Sequence, residues 1–188
     1  MARLTVFNSV TLDGYFTDPK GDMSWAHAGA DDPEWTSFVA DNASGGGVLL
    51  FGRITYDMMK SYWPTPQAAK DAPVVAEQMN KLPKVVFSRT MDKATWNNTK
   101  LVKGDIAEEV RKLKEDSRSG LVIMGSGSIV SQLAPHGVID EYQIIVNPIV
   151  LGSGRTMFEN LRKKLDMKLT KTRAFRNGKV LLCYAPAA

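Results

Sequence analysis

Leu121-Val122-Ile123-Met124-Gly125-Ser126-Gly127-Ser128-Ile129-Val130 is the stretch that decides the fold. Four consecutive apolar residues with no polar alternation predict a short strand covered on both faces, as in a parallel sheet. Small residues then let the chain turn at once into a helix carrying Ile129, Val130 and Leu133. The same order recurs upstream. Val48-Leu49-Leu50-Phe51 runs through Gly52 into a helical stretch from Arg53 to Lys60, and Lys84-Val85-Val86-Phe87 ends at Ser88-Arg89-Thr90.

Around these units the remaining elements fall into place. Arg3 to Val10 is strand-like and is broken by the turn Leu12-Asp13-Gly14. Asp32 caps a helix with Pro33 at its first position and Trp35, Phe38 and Val39 at helical spacing, stopped by Asn42 and Gly45 to Gly47. Pro64, Pro66 and Pro73 frame a passage with a helical stretch near Val74 to Asn80. A strand is expected at 98–103 and a helix at 105–118, whose nine charged residues form its solvent face. Tyr142 to Val150 reads as a strand and Gly152-Ser153-Gly154 as a loop, while Asn177-Gly178 marks a hairpin, so the C-terminal third is antiparallel. The expectation is one α/β domain over residues 1–188, a mixed and mainly parallel sheet with helices on both faces.

Composition bounds the function. With 44% hydrophobic and 23% charged residues in 188, the chain has the make-up of an ordinary folded domain. A net charge of +4 is too small to argue for nucleic acid. Between Arg162 and Lys179 there are eight basic residues and one acid, which reads as a solvated edge strand, a bound anion being the other reading. Cys183 is the only cysteine, so there is no internal disulfide and no thiolate metal site, and His27 and His136 lack a metal-site spacing. No apolar run is long enough for a membrane span, and the N-terminus lacks the pattern of a signal peptide, so a cytoplasmic protein is expected.

Three strand ends with hydroxyls, glycines and cations converge on one edge if the strands are parallel, because ligands of open α/β sheets sit at the carboxyl ends of strands. They are Gly52-Arg53-Ile54-Thr55, Ser88-Arg89-Thr90 and Gly125-Ser126-Gly127-Ser128. Backbone amides at a helix start and bidentate arginines are phosphate-binding devices, so one extended phosphorylated ligand is expected.

In this order, with Val10-Thr11-Leu12-Asp13-Gly14, Met23-Ser24-Trp25 and Pro33-Glu34-Trp35, the motifs resemble the dihydrofolate reductase fold. More closely, they are similar to the reductase domain of the bifunctional riboflavin-biosynthesis deaminase/reductase and its stand-alone relatives. The resemblance implies a three-layer fold and NADPH as cofactor. It places Arg53, Ser88 and Arg89 around the adenosine 2'-phosphate, Thr55 with Gly125, Ser126, Gly127, Ser128 and Ile129 at the pyrophosphate, and the Ser9 to Tyr15 region, with Gly14, beside the nicotinamide. Dihydrofolate reductases join two glycines by a cis peptide at this turn; here the second is Ser126, and the sequence leaves the geometry open.

The same resemblance implies hydride transfer to a small pteridine- or pyrimidine-like heterocycle, as in 5-amino-6-(5-phosphoribosylamino)uracil reductase. Asp13 and Glu34 are the acids expected near the reacting groups, and Met23, Trp25, Phe38 and Trp63 an aromatic pocket over a planar substrate. A homodimer is implied too. True dihydrofolate reduction is one alternative, and a catalytically inactive NADPH-binding sensor is another. The zinc-deaminase signature is absent from the sequence.

Overall fold

The computed structural model describes residues 1–187. Along the chain run β1 (Leu4–Thr11), β2 (Tyr15–Thr17), α1 (Pro33–Ser44), β3 (Val48–Gly52), α2 (Arg53–Tyr62), α3 (Pro66–Asp71) and α4 (Pro73–Lys81). There follow β4 (Lys84–Phe87), β5 (Thr99–Val102), α5 (Ile106–Asp116), β6 (Leu121–Met124), α6 (Gly127–Leu133), β7 (Glu141–Asn147), β8 (Arg155–Thr156), β9 (Met167–Ala174) and β10 (Val180–Pro186).

The short apolar runs become the centre of an eight-stranded sheet of order β5-β4-β3-β6-β1-β7-β10-β9. From β5 to β7 every neighbouring pair is parallel, with Val6 beside Ile123 and Leu50 beside Ile123 in register. The two C-terminal strands pair antiparallel, as the Asn177-Gly178 turn required. Because β6 inserts between β3 and β1, the direction of sheet growth reverses there. The crevice outside such a reversal is where a ligand can enter.

Burial on both faces explains the missing alternation in these strands. On one face Leu4, Val6, Leu50, Leu121 and Ile123 meet Val130 and Leu133 of α6 and Val110 of α5, all with no exposed surface. On the other, Phe51 and Val86 pack with Tyr56, Met79 and Trp96, and Ile145, Leu181 and Cys183 pack with Trp35 and Phe175. Val39 of α1 touches both of these latter groups. Helices therefore cover both faces, as expected.

Local chemistry sets the boundaries. The Asp32 carboxylate accepts from the Trp35 amide at 2.9 Å, and Asp105 does the same for Glu108 at the start of α5. Pro66 and Pro73 each open a helix, so the passage holds α3 in addition to the one helical stretch expected near Val74 to Asn80. The strand expected to reach Val150 stops at Asn147, because Pro148 has no amide to donate. Small β2 and β8 pair into a separate two-stranded ribbon that the sequence pattern did not reveal.

Candidate active site

The carboxyl ends of β3, β4, β5 and β6 open onto one cleft of about 840 Å³. Gly52, Arg53, Thr55, Ser88, Arg89, Ser126, Ser128 and Ile129 all line it, so the three expected strand ends do share one site. A fourth end joins them. Lys103 and Gly104, just beyond β5, form the far wall with Gln132 of α6. The sequence reading missed Lys103 because a four-residue half-polar strand gives a weak signal; the parallel pattern extended by one strand would have found it.

A hydrogen-bonded knot holds the cleft floor. The Gly52 amide donates to Ser126 Oγ at 2.8 Å, and the Ser126 amide donates to Thr55 Oγ1 at 3.1 Å. Side chains thus join the ends of β3 and β6 where no ladder continues. Ser126 adopts φ +58°, and Gly125 before it adopts φ +66°, where an added Cβ would stand 2.7 Å from Thr55 Cγ2. Among the described residues all peptides are trans, Gly125–Ser126 included, so the turn is made by two left-handed residues. Because Ser126 Oγ is turned to Gly52, α6 has no side-chain cap; α2, opened by Gly52, has none either. In α6 the Ile129 amide turns back to the Ser126 carbonyl at 2.8 Å, so the amides of Gly127 and Ser128, with those that open α2, are the ones left for a ligand.

Arg53 lies at the cleft mouth, with its Nη1 donating to Thr90 Oγ1 at 2.9 Å and Nε 3.7 Å from Asp57. It reaches across to the Ser88-Arg89-Thr90 turn, itself held by the Met91 amide donating to Ser88 Oγ at 3.1 Å. Both arginines are exposed. Their charges therefore meet on the same rim.

The two acids lie outside this cleft. Asp13, in the turn after β1, accepts from Thr11 Oγ1 at 2.6 Å, Gly152 N at 2.7 Å and Leu151 N at 3.2 Å. The Thr11 hydroxyl, helped by those amides, holds its carboxyl below the usual carboxylate range. Gly14 supplies the positive φ of +85° that this turn needs, and Ser9 lies half-buried on β1. Glu34 opens α1, but its carboxylate takes Arg173 Nη2 at 3.0 Å and the Arg176 amide at 3.4 Å. Arg173, stacked 4.7 Å from the Phe175 ring, thus pairs with the carboxylate that the resemblance places near substrate.

The expected aromatic pocket is divided. Phe38 contacts Phe7, Trp35 and Phe175 at ring distances of 6.4, 5.5 and 5.0 Å. Met23 packs on the opposite core, and Trp25 buries an indole N–H with no hydrogen-bond partner. Trp63 is elsewhere. Its Nε1 faces Met59 Sδ at 3.1 Å, and it lines a groove of about 360 Å³ among α2, α3 and α4. The prolines that follow Trp63 carry it there.

Comparison with known proteins gives this geometry its relatives. Residues 2–181 match the RibD C-terminal domain. The chain belongs to that family. The uncharacterised protein YyaP of Bacillus subtilis is 27% identical over 184 residues, covering 97% of this chain and 94% of that one. The crystal structure of a putative riboflavin biosynthesis protein from Shewanella sp. PV-4 covers 100% of both chains at 24% identity with a TM-score of 0.75. Dihydrofolate reductase from Enterococcus faecalis, complexed with NADP(H), has a TM-score of 0.65 at 15% identity, covering 99% of this chain and 97% of that one. The deaminase/reductase of Thermotoga maritima has a TM-score of 0.67 at 15% identity, and this chain covers 57% of it. This member of the RibD C-terminal domain family therefore has the dihydrofolate reductase-like fold. No helix among the described residues is long and apolar enough to cross a membrane, and no group of three metal-ligating side chains occurs among them.

Proposed function

We propose that this RibD-type domain is an NADPH-dependent reductase of a small planar heterocycle, with a riboflavin-pathway pyrimidine as the substrate class. One observation carries the reading: a single cleft joins four parallel strand ends, two uncapped helix starts and the cations Arg53, Arg89 and Lys103. Such a donor set fits a dinucleotide with an extra phosphate, since arginines grip phosphate bidentately and open amides complement a pyrophosphate. Arg53, Ser88 and Arg89 would hold the 2'-phosphate, with Lys103 adding charge on the far wall. Thr55 and the Gly125 to Ile129 turn would hold the pyrophosphate; the Thr55 hydroxyl accepts from Ser126 and so keeps its own proton to donate.

NADPH, when bound, supplies a hydride. The chain supplies orientation and a dry site. Ser9, Gly14 and the β1 end would form the wall beside the nicotinamide. Asp13 would act there by fixing the 151–152 backbone against that wall. Trp25 and Phe38 would border the planar substrate, and Met23, packed on the other core, would hold the Trp25 segment in place. Glu34, engaged by Arg173, favours this class over true dihydrofolate reduction, for which an available carboxylate would be wanted.

A cytoplasmic location belongs to the same reading, as does a homodimer. The latter would use the sheet face opposite α1, where half-buried Val146 and Val180 neighbour Ile144 and Leu182. Loss of NADPH absorbance with 5-amino-6-(5-phosphoribosylamino)uracil, and little with dihydrofolate, is the expected result. Tight NADPH binding with no oxidation by either compound would replace the enzyme with a nucleotide sensor.

A further inference from the structure

Lys179 belongs to the basic stretch expected to be solvated, yet it is only 1% exposed. It immediately precedes β10, after the Asn177-Gly178 turn. Its ammonium donates to Asn147 Oδ1 and to the Ala26 carbonyl at 2.9 Å, and stands 5.1 Å from the centre of the Trp35 ring. Among the described residues no carboxylate lies within ion-pair distance of it. A sealed ammonium without a counter-anion is costly, and an apolar side chain of the same length would avoid that cost.

The positions of its partners show what the charge achieves. Asn147 ends β7 and donates its amide to the Val10 carbonyl on β1 at 3.1 Å, so Lys179 reaches the two strand ends beside the turn that bears Asp13. Ala26 lies in the short helical turn Ser24–His27, next to Trp25. Trp35 lies in the first turn of α1, one residue after Glu34. Asn177 adds a second tie, donating to the Gly29 carbonyl at 3.0 Å. The β9–β10 hairpin thus grips the 26–29 backbone from beneath. None of these groups lines the cleft that holds Arg53 and Arg89.

We propose that Lys179 is a positioning residue for substrate: it fixes the segment bearing Met23 and Trp25 against the ends of β1 and β7, independently of the nucleotide cleft. The substrate part rests on the reductase reading; the placement of the segment does not. Lys179→Met removes the charge and both donors, and Lys179→Gln keeps an amide donor without the charge.

Three measurements on the full chain test it: amide exchange over residues 24–30, NADPH affinity by calorimetry, and KM for 5-amino-6-(5-phosphoribosylamino)uracil at saturating NADPH. Losing a buried charge-assisted bond should speed exchange at 24–30 about tenfold in Lys179→Met, with Lys179→Gln intermediate and exchange at 102–105 unchanged. KM should rise about tenfold while kcat and NADPH affinity change much less, the split expected when substrate placement alone is lost. Unchanged exchange at 24–30 in either folded variant overturns the proposal, as does a fall in NADPH affinity that matches the rise in KM. A wild-type chain that binds no NADPH defeats the reductase reading instead, and the exchange measurement still decides the role of Lys179.

Discussion

Asp13 shows how one side chain can be read correctly as a turn residue and still hold more than a turn. Asp before Gly was legible as a bend; its grip on the Leu151 and Gly152 amides was not, since those partners lie far along the chain. With the folded carboxyl below 3.8, this grip exists above the unfolded value and is lost as pH falls through the folded one. Asp13→Ala should therefore lower the melting temperature at pH 7, and the gap from wild type should close in the acid range below about pH 4. A gap that stays constant from pH 7 to pH 3 would show that the carboxylate does not hold the loop. Glu34 teaches the complementary lesson. Its place at the start of a helix was legible, but Arg173, its partner, was visible only as one of several charges in a basic stretch.

Among the elements, the strand–turn–helix units carried most of the legible information. Their apolar runs are short, and each is buried on both sides, which is why composition alone marked them. The knot among Gly52, Thr55 and Ser126 was not legible, because it joins positions more than seventy residues apart. Ser126→Ala leaves the Gly52 amide without its acceptor in a buried site and should cost about 1–3 kcal/mol in urea unfolding. A loss near zero would mean that this bond does not set the spacing of β3 and β6. Lys84 offers a second test. It starts β4, donates to the Leu82 and Asn80 carbonyls at 2.6 and 3.3 Å, and is 1% exposed; burial pulls its ammonium down to about 8 from 10.5. The unfolded chain then holds more protons between these values, so stability gains from Lys84 as pH rises from 8 to 10.5. Lys84→Met should flatten that part of the stability profile, and an identical slope in the two proteins would refute it.

For the whole molecule, fold class, the parallel centre and the antiparallel third could be read from sequence, whereas strand order could not. Nothing in the runs at 84–87 and 121–124 says that the second returns to lie between β3 and β1. That order builds the cleft, because it brings Gly52, Ser88, Lys103 and Ser126 to one opening. The basic stretch resolves into parts: Lys168, Lys171 and Arg173 stand exposed on the edge strand β9, as a guard against pairing requires, while Lys179 is buried. The ribbon of β2 and β8 escaped notice since two or three residues carry no period to detect.

The most direct test is calorimetry of NADPH and NADH on the wild type and on the Arg53→Ala, Arg89→Ala double variant. The account predicts NADPH preferred by the wild type, and a loss of about thirtyfold or more in NADPH affinity on removing two charge-assisted contacts, with NADH little affected. Equal binding of the two nucleotides by the wild type, or an NADPH affinity that survives the double substitution, would contradict it.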